Sequence, residues 1–441
     1  VSNHAAGDLA AVAIGDIALI LVIGALFAML ARRVKQPAVI GEIVAGICLG
    51  PSLLGLLPGD LPNRIFPPEV RPHLNLVAQI GLLLFMFTIG WEFDRRVLSG
   101  RRRSTGIIWV CSIALPLTLG MSLAVLLHRS HGTVDGEEVP LLHFAFYIGI
   151  AMSIAAFPVL ARIITDKRLQ FSRPGSLALA LAAADDVLAW CLLAAVVGMV
   201  TASGSAGYVT MVIWSMVYII AMFCVVRPVL AAVVQRMRRR GTPLGSSYVL
   251  IAFGALGSAY VSSEIGIHAI FGAFLFGLMM PRDPELRRTA LPPIEHVGTL
   301  LLPVFFVVTG LSVDLTALTM SSFLQMLAII AVACFGKLGG VAIPARLTGM
   351  SWRDATTLGL LMNTRGLTEL VILNVGLQLG LLTIELFTAM VMMALVTTTM
   401  AAPLLSMIIR DPAEPRSPLT ARRLRRAAAT PTAEPEHAAQ P

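Results

Sequence analysis

The stretch SLALALAAADDVLAWCLLAAVVGMV, residues 176–200, is long and apolar enough to cross a bilayer, yet it carries Asp185 and Asp186 at its middle. Each carboxylate at the centre of a spanning helix costs about 2.5–3.5 kcal/mol on insertion scales, so a chain that keeps two adjacent ones must use them. Successive helical residues point about 100° apart, so the two acids face different partners. One can line a water-filled path while its neighbour meets a countercharge.

The surroundings of this stretch are equally apolar. Hydrophobic residues make up 57% of the 441 and charged residues 13%, which excludes soluble globular and disordered classes. The net charge of +8 is spread in short basic clusters between apolar runs, a topological pattern rather than a nucleic-acid surface. The five cysteines lie inside apolar runs without a C-x-x-C, and the histidines form no H-E-x-x-H, so no disulfide, metal knuckle or cofactor is expected. His128 and His131 fall in a hydrophilic loop and are expected to be solvent-exposed, and His268 reads as an interfacial residue. The first apolar run is of spanning length and lacks a basic n-region, so no cleavable leader is read there.

The apolar runs predict thirteen spans, at about 9–31, 36–57, 74–93, 106–128, 142–164, 174–201, 208–235, 246–263, 265–281, 294–314, 321–347, 354–381 and 383–410. With the N-terminus outside, nearly all of the 33 lysines and arginines fall on the cytoplasmic side; Arg64, Arg71 and Arg129 lie outside. The chain also repeats itself. FMFTIGWEFD (85–94) resembles FFVVTGLSVD (305–314), aligning Gly90 with Gly310 and Asp94 with Asp314, and Gly41 and Gly46 match Gly272 and Gly277. Both matches are seven spans apart, an odd number, so the copies run in opposite directions: an inverted repeat, the architecture of secondary transporters.

If the repeat holds, spans five and twelve flank the acid helix and its inverted partner, and each is expected to be broken. Span five carries Pro158 past its midpoint; span twelve carries Asn363, Thr364 and Gly366, poor helix formers at mid-membrane. The other ionisable residues inside spans are Asp16, Glu42, Lys337, Arg365 and Glu369. Arg365 and Glu369, four apart, can pair on one helix, and Glu42 reads as a structural charge. Lys337, in ACFGKLGG, has no acid on its own span, which leaves Asp185 or Asp186 as its partner.

These residues carry a resemblance. PAVIGEIVAGICLGPSLLG (37–55), FMFTIGWEFD (85–94), SIAAFPVLARI (153–163), AAADDVLAW (182–190), IGIHAIFGAFLFGLMMP (265–281), PVFFVVTGL (303–311), FGKLGG (335–340) and MNTRGLTELVILNVG (362–376) together resemble the monovalent cation:proton antiporter 2 family, which holds Kef-type bacterial antiporters and plant cation/proton exchangers. The resemblance implies an all-α antiporter fold with broken crossing helices, working as a homodimer in lipid. It implies a scaffold part at about 9–93 and 246–314, a moving core part at about 106–201 and 321–410, and a linker helix at about 208–235. It implies exchange of a monovalent cation, Na⁺ or K⁺, for protons, the transport chemistry of pH homeostasis. Asp186 would bind cation or proton, Asp185 would pair with Lys337, and Ser153, Phe157, Pro158, Asn363 and Thr364 would line the ion path at the crossing. Lys337 is then a second possible proton carrier. Kef-type members carry a cytoplasmic nucleotide-binding domain; none is expected in cis here, where residues 411–441, rich in Ala, Pro and Arg, read as a disordered cytoplasmic tail.

The alternative on the same fold is a proton- or sodium-coupled transporter of a small organic solute. An intramembrane aspartyl protease would need its two acids on separate helices to share a water, whereas Asp185 and Asp186 are neighbours, so no enzyme is expected. High Ala and Arg content points to a bacterial source, and the membrane expected is the inner one, with the N-terminus outside and the C-terminus in the cytoplasm.

Overall fold

The computed structural model describes residues 2–34, 36–92, 102–134, 136–167, 169, 172–201, 204–240, 247–266, 268–316 and 318–408. Asp94 of the repeat and the expected tail at 411–441 lie outside the described residues. The first half holds α1 (Ser2–Arg33), α2 (Ala38–Leu49), the short α3 (Leu61–Ile65), α4 (Arg71–Glu92), α5 (Arg102–His131), α6 (Leu141–Ser153), α7 (Phe157–Asp166) and α8 (Arg173–Thr201). A small antiparallel hairpin, Thr133–Val134 with Glu137–Glu138, joins α5 to α6. α9 (Gly204–Ala221) passes through a π turn, Met222–Val226, into α10 (Arg227–Arg239). Then follow α11 (Tyr248–Glu264), α12 (Ala269–Met279), α13 (Pro284–Leu311), α14 (Met320–Leu347), α15 (Trp352–Met362), α16 (Leu367–Gln378) and α17 (Ile384–Ile408).

Long apolar runs become helices because hydrocarbon offers the backbone no other partners. Their ends are set by local chemistry. Asp283 caps α13 by accepting from the N–H groups of Glu285 and Leu286, with Pro284 at the first helical position. Thr319 caps α14 through Ser322 N–H, and Ser351 caps α15 through Asp354 N–H. The cap at Asp283 starts α13 well before the apolar run expected from 294, because its first turns are polar and lie ahead of that run.

Among the described residues, nine helices are long and apolar enough to cross a membrane. The other expected spans, at 142–164, 246–263, 265–281 and 354–381, are shorter or interrupted helices, so length and apolarity alone do not yield the count of thirteen. A second difference concerns the hydrophilic segment expected to hold His128 and His131. α5 runs on to His131, which is buried and bonds Thr383 Oγ1 and Gln325 Oε1 at 2.9 Å each, while His128 reaches the Val139 carbonyl at 2.8 Å. The two histidines stand on the closing turn of a helix, and both rings are bonded within the protein, while Arg129 and Ser130 beside them are exposed.

The inverted repeat is visible as packing. α2 crosses α13 where Gly46 meets Gly310: a Cβ on Gly46 would strike the Val307 carbonyl, and one on Gly310 the Ile43 carbonyl. α12 crosses α4 in the same manner, with Gly277 against the Phe87 carbonyl and Gly90 against that of Phe274. Each crossing pairs one motif of the first copy with the other motif of the second. The outer neighbours repeat too: Gly41 lies against the α1 backbone at Phe27, and Gly272 against the α11 backbone at Ser258. Small residues let these backbones touch where no hydrophobic force drives helices together. α9 and α10 join α12 through the π turn between them; elsewhere α14 packs on α5, α15 on α14 and α8, and α16 on α6 and α17.

Candidate functional site

Two helices are interrupted at mid-course, between α6 and α7 at residues 154–156 and between α15 and α16 at residues 363–366. Pro158 is the cause of the first. It lacks the N–H that would return to the Ile154 carbonyl, so the helix stops at Ser153 and restarts at Phe157, where Pro158 is the second residue and its missing N–H is not needed. The break therefore precedes Pro158 by several residues instead of falling on it. The second break is the run Asn363, Thr364, Arg365 and Gly366 itself. The two breaks meet: Ala156 N–H donates to the Thr364 carbonyl at 3.2 Å.

An interrupted helix exposes orphan carbonyls at one end and orphan N–H groups at the other. At the first break each end meets opposite charge. At the end of α6 the Ala151 and Met152 carbonyls accept from the Arg365 guanidinium at 3.1 and 2.7 Å, and the Ser153 carbonyl accepts from Lys337 Nζ. Lys337, fully buried on α14, also donates to the Ser112 carbonyl at 3.2 Å and pairs with Asp185 Oδ2 at 2.9 Å. Asp185 Oδ1 accepts from Trp109 Nε1 at 3.0 Å, and this carboxylate faces the Ala155 N–H. Asp186 faces the Phe157 N–H at the start of α7 and accepts from the Thr368 hydroxyl at 2.8 Å. Arg365 pairs with Glu369 at 3.1 Å along α16.

The charges thus sort themselves. Lys337 with Asp185 and Arg365 with Glu369 are closed ion pairs, each almost wholly removed from solvent. Asp186 is buried at 5% exposure and, among the described residues, has no ion-pair partner. Its hydroxyl and amide donors hold the carboxylate in place without supplying a positive charge.

Most of the sequence-nominated residues gather at this crossing. The Ser153 hydroxyl turns back to the Ile150 carbonyl at 2.9 Å and that of Thr364 to the Leu361 carbonyl at 2.8 Å, so their backbone carbonyls face the site's cations and the opposite break. Asn363 reaches Cys334 Sγ at 3.6 Å through Nδ2, while its Oδ1 is buried without a hydrogen-bond partner among the described residues, as are Arg365 Nε and Glu369 Oε2. Phe157 opens α7. Glu42, partly exposed on α2, makes none of the cluster's contacts, and Asp16 is buried on α1 with Oδ2 unpartnered among the described residues. Sequence reasoning missed Thr368, Trp109 and Thr398. Thr398 holds the second break by bonding both the N–H and the carbonyl of Arg365 at 2.9 and 2.8 Å. Thr368 had one usable signal: it lies four residues after Thr364, one helical turn further along the same motif.

Comparison with known proteins follows the same lines. The family model described as "Sodium/hydrogen exchanger, transmembrane" matches residues 17–410. The chain is 37% identical over 402 residues to the "Na(+)/H(+) antiporter NhaS4" of Synechocystis, covering 91% of this chain and 98% of that one. It is 37% identical to "Cation/H(+) antiporter 20" of Arabidopsis thaliana and 35% identical to "K(+)/H(+) antiporter 1" of Saccharomyces cerevisiae. Those matches cover 88% and 89% of this chain but 47% and 46% of the relatives, so the chain spans about half of their length. Its fold matches that of the sodium proton antiporter MjNhaP1 from Methanocaldococcus jannaschii at pH 8, with a TM-score of 0.66 at 16% identity over 91% of this chain and 98% of that one. With a family match over most of its length, and with charged helix breaks buried among membrane-spanning helices, this chain is an integral membrane protein of the sodium/hydrogen exchanger family.

Proposed function

We propose that this chain is a secondary antiporter that exchanges a monovalent cation, Na⁺ or K⁺, for protons by alternating access, with Asp186 holding cation or proton in turn. The observation that carries the assignment to Asp186 is that it is the buried acid of the cluster without a countercharge. A carboxylate fixed by neutral donors can take either a cation or a proton, and one site that cannot hold both, and crosses only when occupied, is sufficient for exchange. Asp185 is neutralised by Lys337 and Glu369 by Arg365, so neither is free to do the same. Lys337 is a second proton carrier in this reading: as the cation arrives, the pair with Asp185 loosens and the lysine releases its proton. The exchange would then move net charge.

The helices around the two breaks, α5–α8 and α14–α17, form the moving core in this reading; α1–α4 and α11–α13 form the scaffold, and α9–α10 the linker. The chain works as a homodimer joined through the scaffold, with its N-terminus outside a bacterial inner membrane. Exposed apolar side chains on α1 and α11, such as Val22, Leu26, Val249 and Phe253, are available to lipid or to a second copy.

The test is dissipation of an imposed pH gradient in proteoliposomes by Na⁺, K⁺ and Li⁺ in turn, for the native chain and for Asp186→Asn. Collapse of the gradient by one of them, abolished by the substitution, supports the assignment. Absence of any response to the three cations sinks it, and a response to a small organic solute in the same vesicles would move the reading to a solute carrier on this fold.

A further inference from the structure

Between α4, α12, α13 and α16 lies a cavity of about 30 Å³ whose polar lining is Asn75, Gln79, His268, Thr309, Asn374 and Gln378. One water needs roughly 10–15 Å³ of such space, so the cavity takes about two waters or one cation with part of its hydration shell. The lining has a pattern. Asn75 and Gln79 are four apart on α4, and Asn374 and Gln378 are four apart on α16, so each helix turns an Asn-x-x-x-Gln face toward the seam between them. Asn75, Gln79 and Gln378 are exposed and Asn374 is half-buried, so the cavity is open on one side and its carboxamides meet water.

The hydrogen bonds say which atoms are offered. Thr309 spends its proton on the Phe305 carbonyl at 2.8 Å, so it must accept from Asn374 Nδ2, at 3.0 Å. Asn374 gives its other amide hydrogen to the Leu370 carbonyl at 2.9 Å. Both of its donors are committed and its carbonyl oxygen is left. Asn75, Gln79 and Gln378 make no hydrogen bond to protein among the described residues. Among the described residues, no Asp, Glu, Lys or Arg lines the space. Neutral oxygens bind a cation weakly enough to let it go again, which suits a waiting site on a path better than a terminal one. The cavity lies on the face of α16 that also holds the acid: Val371 and Val375 line it, and Thr368, at spacings of three and seven from them, donates to Asp186 from the next turn of α16.

We propose that this carboxamide cavity is an outer waiting site for the partly dehydrated transported cation, on the face that carries the α11–α12 turn. The inference rests on the antiport reading and adds a second site to it. The test measures the cation KM from each face separately, in vesicles of defined protein orientation, for Asn374→Val and Gln79→Leu. Gln79 holds no structural hydrogen bond, so its variant separates ion binding from loss of the Asn374–Thr309 contact. Both variants should raise KM on the α11–α12 face about fivefold, the factor that corresponds to one lost polar contact, and leave KM from the opposite face within about twofold. Preference among Li⁺, Na⁺ and K⁺ should flatten on that face alone. An unchanged KM on both faces would mean that the cavity holds only water, and an equal rise on both would mean a general packing defect; either overturns the inference. If the native chain exchanges cations and Asp186→Asn abolishes exchange while these variants behave as native, the waiting site falls and the antiport reading stands. If the native chain exchanges none of the three, both fall.

Discussion

Replacing Lys337 by methionine keeps most of the side-chain volume and removes the charge. Asp185 would retain Trp109 Nε1 at 3.0 Å and the Ala155 N–H but lose the ammonium at 2.9 Å, and the Ser112 and Ser153 carbonyls would lose their shared donor. Removing one partner of a buried ion pair costs about 3–5 kcal/mol, because the other charge is left uncompensated. Each stranded carbonyl adds about 1–3 kcal/mol if nothing replaces the donor, though one ammonium serves all three acceptors and the costs overlap. Lys337→Met alone should therefore lose about 4 kcal/mol or more. Asp185→Asn in the same chain removes the stranded charge, so the double variant should recover about 2–3 kcal/mol of that loss as pairwise coupling. Denaturant unfolding of the four purified proteins in one detergent measures the cycle. The reasoning is refuted if the two single losses simply add, since the ammonium and the carboxylate would then be stabilised independently of each other.

Thr368→Val removes the hydroxyl that donates to Asp186 at 2.8 Å and should raise the cation KM about fivefold in gradient-dissipation assays, with Thr368→Ser close to native. Arg365→Gln strands Glu369 and removes the charge that caps the α6 carbonyls, so it should cost about 3–5 kcal/mol; Glu369→Gln in the same chain should restore part of the monodisperse yield. Gly277→Val and Gly310→Val force a side chain onto a facing carbonyl and should each destabilise the fold by about 1–3 kcal/mol, read as earlier thermal unfolding in detergent. If Lys337 carries a proton, exchange by the double variant Asp185→Asn with Lys337→Met should lose its dependence on an imposed membrane potential; persistence of that dependence counts against a role for the lysine.

Charge and hydropathy made the fold legible, because hydrocarbon penalises every exposed backbone group and every unpaired ion. That is why Asp185, Asp186, Lys337, Arg365 and Glu369 stood out and why the glycines of the repeat could be aligned. What sequence could not supply was geometry carried by neutral donors. Trp109 and Thr398 carry no spacing signal, and the spacing of Thr368 from Thr364 places it on the right face of the motif without saying that it holds a carboxylate. His131 was misread for a related reason. Its partners, Gln325 and Thr383, are remote in sequence, so the last turn of a helix looked like loop when its histidine was satisfied by other helices. Pro158 identified the helix that breaks, and the break lies at residues 154–156, in the turn that precedes the proline.

The distribution of bond strengths bears on how the proposed core could move. The ionic bonds of the crossing all join helices assigned to the core: Lys337 ties α14 to α8, and Arg365 ties α16 to the end of α6. Each is buried, and breaking either costs several kcal/mol. Hydrogen bonds that cross to the scaffold include Asn374 to Thr309, the Asp314 N–H to Thr388 and Gln36 to the Thr399 carbonyl, each between neutral groups. A neutral hydrogen bond that can be exchanged for water contributes only about 0.5–1.5 kcal/mol. Displacement of core against scaffold would thus sever contacts that water can replace, while the charges around Asp186 travel together. In that reading the carboxylate would change the side it faces while the helices that carry its neighbours move with it, so the energy of the crossing would depend on the occupancy of Asp186 and on whether Lys337 has given up its proton.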